Sequence, residues 1–173
     1  ELAGHPAAVT TLAINSDSSQ IATADAQGNV RFWNPADGTA MGMAGAGTSP
    51  LVALEYRLGA ETPQLLTAAD DGSVKLWALP LKDSPPLAGH TEAVTAVAMS
   101  ADGALVATGG ADASVRLFIP GEDTPPRVLE GQPGAVTSLS LHTVTGTIAS
   151  ASDTGVVKLW NVADGADRLT LAG

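Results

Sequence analysis

Apolar and polar positions in this chain alternate in short runs and do not follow the 3.6-residue period of a helix. Between Val9 and Asn15 the large residues Leu12 and Ile14 alternate with Thr11 and Ala13. The same alternation returns as Leu54 and Tyr56 against Ala53 and Glu55, as Val97 and Met99 against Ala96 and Ala98, and as Leu139 and Leu141 against Ser138 and Ser140. A period of two puts the large side chains on one face of a strand and the small ones on the other. Neither face is strongly polar, so each run predicts a sheet sandwiched between neighbours, a large face meeting a small one.

A hairpin follows each run. In Thr67–Trp77 a short apolar stretch enters Asp70-Asp71-Gly72, a tight-turn signal, and leaves as Val74-Lys75-Leu76-Trp77, whose β-branched and aromatic residues favour a strand. The pattern recurs as Thr23–Trp33, Thr108–Phe118 and Ser150–Trp160, and the ring residues Trp33, Trp77, Phe118 and Trp160 stand 44, 41 and 42 residues apart. A second marker keeps the same beat at Gly4, Gly45, Gly89, Gly131 and Gly173. The chain therefore divides into four units, at about 5–45, 46–88, 89–130 and 131–173, forming a single repeat array. In the first, strands are expected at Val9–Asn15, Ile21–Ala24, Val30–Trp33 and Thr39–Ala44; in the last, Asp167–Leu171 supplies the outer strand. A period of 40–45 residues with this signature predicts an all-β fold: propeller blades of four antiparallel strands, four blades per chain.

Leu87-Ala88-Gly89-His90 opening a unit and Val74-Lys75-Leu76-Trp77 closing one resemble the WD-repeat β-propeller family, over the full chain and in four registered copies. The resemblance implies a protein-interaction scaffold and not an enzyme; the fold by itself does not supply the partner. It also implies a polar network in each blade, linking the opening His, the acid of the second turn, a Ser or Thr of the second strand and the Trp. Carried over, His5, Thr23 and Trp33 are present in unit one, with Gln27 in place of the acid. Unit two has Thr67, Asp71 and Trp77, with Ala46 for the His; unit three has His90, Thr108 and Asp112, with Phe118 for the Trp. Unit four keeps Ser150 and Trp160, with Gln132 and Thr154 at the other two places. His90–Asp112 is the pair expected to be intact, and all of these residues are read as structural, because buried polar groups are kept where they satisfy one another.

Composition narrows the chemistry. Hydrophobic residues make up 45% of the 173, and no run reaches the ~20 apolar residues that span a bilayer. Eighteen acids against 8 bases give a net charge of −10, which argues against a nucleic-acid or anionic-membrane surface. Four of the bases, Arg31, Lys75, Arg116 and Lys158, occupy one repeat position, where the stems are expected to lie on a neighbouring blade. There is no cysteine, and three dispersed histidines give no metal spacing, so neither cofactor nor metal is expected. His142 stands alone and reads as a rim histidine. Glu55 occupies a position that is otherwise Ala or Ser, and reads as a strand-end carboxylate reaching solvent or the central channel. Nothing marks an activated nucleophile or an oxyanion site, so no catalytic residue is assigned.

The binding face is expected where the opening loops and second turns emerge, at His5, Thr48, Asp70, Glu92, Gln132 and Asp153, and its acidity favours a basic or polar peptide. The acidic, Pro-rich stretches Leu79–Pro86 and Ile119–Pro126 read as rim connections between blades. The chain opens on Glu1 inside a repeat marker, which reads as a piece of a longer array. Four blades are about half of the ring this family usually closes, and each end blade of a half ring exposes an apolar face. Leu171-Ala172-Gly173 repeats Leu2-Ala3-Gly4, so a second copy is expected to continue the array and close an eight-bladed homodimer. Two alternatives remain: a purely structural module of a longer propeller protein with no partner of its own, and a propeller enzyme.

Overall fold

A computed structural model describes residues 2–57, 64–79, 87–120, 122 and 124–172. The first sheet contains β1 (Val9–Ile14), β2 (Ile21–Asp25), β3 (Asn29–Trp33) and β4 (Ala40–Gly45), paired antiparallel in chain order. The second contains β5 (Leu51–Arg57), β6 (Gln64–Ala69) and β7 (Val74–Ala78) among the described residues. Residues 80–86 of the first expected rim connection, 121 and 123 of the second, and the Gly173 marker lie outside those residues. The third sheet has β8 (Val94–Met99), β9 (Val106–Gly110), β10 (Val115–Phe118) and β11 (Arg127–Leu129). The fourth has β12 (Val136–His142), β13 (Thr147–Ser152), β14 (Val157–Asn161) and β15 (Asp167–Leu171).

The blades stack through three apolar clusters, one per junction. Ala22, Ala24, Val30 and Phe32 of the first blade meet Leu51, Leu54, Tyr56 and Trp77 of the second. Leu66, Ala68, Val74 and Leu76 then meet Val94, Met99 and Phe118. Ala107, Val115, Leu117 and Leu129 meet Val136, Ile148 and Trp160. Each junction therefore sets the small-residue face of one blade against the large-residue face of the next, as the alternation predicts. The close fit shows at Gly109, where an added Cβ would lie 2.4 Å from Val136.

Every inner strand carries a bulge at its second residue, at Thr10, Val52, Thr95 and Thr137. A bulge turns that side chain out of the regular pleat. Thr10 uses the freedom to donate to the carbonyl of Ala24 and, across the junction, to that of Leu51. Thr95 does the same with Gly109 and Val136. Three of the four repeated cations bring their charged ends over a ring of their own blade. Lys75 and Lys158 each lie 5.2 Å from the ring centroid of Trp77 and Trp160 in their own blade, and Arg31 lies 6.0 Å from that of Trp33. The two-residue period of a strand puts residues i and i+2 on one face, which brings each of these charges to the indole of its own strand.

Candidate functional site

The first blade contains a complete polar chain. The indole N–H of Trp33 donates to Thr23 Oγ1 at 2.7 Å, the Thr23 hydroxyl pairs with His5 Nε2 at 2.6 Å, and His5 Nδ1 pairs with Asp25 Oδ2 at 2.9 Å. A carboxylate only accepts, so His5 Nδ1 carries a proton and donates it to Asp25. Asp25 also accepts from the backbone N–H groups of Gln27 and Asn29 and from the Asn29 amide. Burial alone would raise its carboxyl, but those donors and His5 win and hold it at about 2. The expectation that Gln27 leaves this blade without an acid is corrected: the acid comes from Asp25, two residues earlier, at the end of β2.

In the third blade His90 Nδ1 lies 3.0 Å from both Asp112 oxygens and Nε2 2.8 Å from Thr108 Oγ1. Desolvation pushes the His90 imidazole below its ordinary value, which keeps it neutral. Asp112 is held at about 2: burial opposes ionisation, and Ser114, the Thr91 N–H and His90 outweigh it. Gly110 explains why the acid moves between blades. A Cβ added there would lie 2.5 Å from His90 Nδ1 and 2.6 Å from Asp112 Oδ1. Asp25 fills in blade one the space that blade three leaves for a carboxylate arriving from the turn.

The other blades keep only part of the chain. Trp77 donates to Thr67 at 2.9 Å, while Asp71 caps the Ser73 N–H in its own turn and Ala46 fills the place of the imidazole. In blade four Trp160 donates to Ser150 at 2.7 Å, Gln132 reaches the Ser150 carbonyl, and Thr154 pairs with Ser152. His142 bonds Thr145 within the exposed turn after β12. In His5 and His90 both ring nitrogens are engaged, by an Asp carboxylate and a Thr hydroxyl, and in blade one the same hydroxyl also accepts from the Trp33 indole. Among the described residues no group of three or more His, Asp or Glu stands together to hold a metal.

The four second turns and four opening loops emerge on one side of the array. The Asp70 N–H donates to Pro50 O, Ala111 to Ala93 O and Asp153 to Ala135 O, tying each turn to its own loop. Blades also meet here: a Cβ at Gly28 would lie 2.6 Å from Gly47 O, and one at Gly72 would lie 2.7 Å from Glu92 O. Thr48, Asp70, Glu92 and Asp153 are exposed on this side. His5 and Gln132, expected beside them, turn inward: the His5 side chain is 6% exposed and Gln132 is buried. Both follow the opening glycine and are drawn under the blade by hydrogen bonds to the second strand.

The WD domain, G-beta repeat family matches residues 1–34, 82–118 and 123–161, more than half of the chain. The chain is a WD-repeat protein. The unmatched unit is the second, which lacks the opening His. WD repeat and HMG-box DNA-binding protein 1 of Xenopus laevis is 25% identical over 93% of this chain and 14% of its own length. Striatin-4 of Homo sapiens is 32% identical over 56% of this chain and 16% of its own length. The chain thus spans about a seventh of these relatives. A chain in the crystal structure of the mitotic checkpoint complex superposes with a TM-score of 0.87 at 18% identity, over 98% of this chain and 52% of that one. That likeness establishes the propeller fold of the WD-repeat array.

Proposed function

We propose that this WD-repeat chain is a non-catalytic interaction scaffold: half of a propeller ring, closed by a second copy, that offers the face carrying Thr48, Asp70, Glu92 and Asp153 to a basic or polar peptide. The observation that carries the reading is an unfinished junction at each end of the array. Leu12 is 60% exposed, whereas its counterpart Leu54, which has a blade in front of it, is 8% exposed. Val9 is 52% exposed, against 2% or less for Leu51, Val94 and Val136. At the far end Leu171 is 49% exposed while its counterpart Leu129 is 1% exposed. Ala151, Val157 and Leu171 form one row across blade four, matching the buried row Gly109, Val115 and Leu129 of blade three. Thr137 makes the first of the two bonds seen at Thr10 and Thr95, to Ala151 O. By analogy with Leu51 and Val136, the Val9 carbonyl of a second copy would take the other bond.

A face-to-face blade contact of several hundred Å² is of the size at which exposed apolar patches mark association. Two-fold pairing makes two such junctions and closes the ring. A relative is named as DNA-binding, but the net charge of −10 here favours a cationic peptide over a polyanion. The small share of the relatives' length supports a second reading, in which further blades of the same polypeptide close the ring. Sedimentation equilibrium decides: self-closure predicts twice 17.2 kDa at micromolar concentration, and a stable, soluble monomer defeats it.

A further inference from the structure

Glu55 interrupts the small face of the second blade: it stands where the other inner strands have Ala13, Ala98 and Ser140. Its row continues through Leu66 and Leu76, so the carboxylate enters the junction with blade three. It borders a cavity of about 280 Å³ together with Ser16, Tyr56, Met99 and Ser100, where the inner strands of the first three blades end. That end is opposite the Asp70 and Asp153 turns, because β5 starts beside Ala69 and runs away from it. At roughly 30 Å³ per water, the space accommodates a cationic head group and part of its stem.

The charged and titratable groups around the cavity make their contacts elsewhere, although Arg57 Nε, buried two residues along the strand from Glu55, has no hydrogen-bond partner among the described residues. Arg57 donates to Gln64 and lies over the blade-three turn at Gly103, where its charge favours ionised Asp102. The Tyr56 hydroxyl donates to Gln20, and Asp17 of the β1–β2 turn accepts from the Ser19 N–H. Among the described residues no Lys, Arg or His forms an ion pair with Glu55. Burial raises its carboxyl to about 7, opposed only by a hydrogen bond from the Met99 backbone. A carboxylate stripped of water without a compensating cation is stabilised by any positive group that reaches it.

We infer that the cavity beside Glu55 is a receptor for one lysine or arginine side chain presented by a partner. Among the described residues its lining comes from the first three blades of one chain. A bound cation favours ionised Glu55, so its entry near neutral pH is coupled to release of the Glu55 proton, and binding strengthens as pH rises through 7.

The test is a carboxyl-carbon NMR titration with N-methylguanidinium chloride at constant ionic strength. The inference expects a saturable response at Glu55 and a downward shift of its titration midpoint by roughly half a unit or more. Read at the backbone amides of Met99 and Ser100, which line the cavity, the neutral isostere Glu55→Gln should lose the saturable response. Tetramethylammonium, which has no N–H donors, should act more weakly on the unaltered protein, a comparison that needs no variant to fold. A Glu55 midpoint unmoved by N-methylguanidinium, or an equal saturable response in Glu55→Gln, overturns the assignment.

Discussion

Asp25 and Gln27 stand two residues apart in one turn, yet their removal should have opposite weights. Asp25→Ala strips the His5 Nδ1–H, the Asn29 amide and two backbone N–H groups of their common acceptor. The expected cost is about 2–3 kcal/mol, because buried donors are left unpaired. Gln27 is exposed, so Gln27→Ala should change stability by less than about 0.5 kcal/mol. Urea unfolding at neutral pH measures both. The folded-state carboxyls of Asp25 and Asp112 lie near 2, below the ordinary 3.8, so their contribution is present above about pH 4 and is lost as pH falls toward 2. Asp25→Ala should flatten the unfolding midpoint between pH 5 and pH 2.5, and an unchanged slope would count against the Asp25 assignment. Sequence spacing pointed to the turn position as the acid's place; that the side chain at the end of β2 reaches the opening imidazole follows only from the fold.

At the scale of the element, the hairpins were legible because their turns require particular backbone geometry. The turns after β2, β6 and β13 place Gly28, Gly72 and Gly155 at φ of 79°, 84° and 82°. Ala113 holds the corresponding position after β9 at φ 59°, in the left-handed region that costs a residue with a Cβ roughly 1–2 kcal/mol. Ala113→Gly should therefore raise stability by about 0.5–1 kcal/mol, after the unfolded-state entropy of the new glycine is set against the relieved strain. Thermal unfolding followed by circular dichroism checks the sign. The bulges at Thr10, Val52, Thr95 and Thr137 were not legible: a strict alternation of two gives no room for an extra residue. Only the pairing with the second strand reveals that these side chains leave the pleat and, at Thr10 and Thr95, reach the next blade.

For the whole molecule, the decisive quantity is the area left uncovered at the two ends of the array. Leu12→Asp places a charge in the centre of the first blade's exposed large-residue face, where within a single chain it meets solvent. It should leave the strand content of each chain unchanged and shift the sedimenting mass from dimer to monomer. Retention of the dimer would place the association surface elsewhere.

Repeat number, strand order and the pairing of large with small faces follow from the sequence, because period-two alternation and turn residues are local properties repeated four times. The tertiary structure alone decided between the two readings of His5 and Gln132, blade network or surface face: hydrogen bonds to the second strand hold both under the blade. It also decided that Glu55 enters a junction and borders a cavity, since burial at that position depends on a neighbouring blade some 40 residues away in sequence.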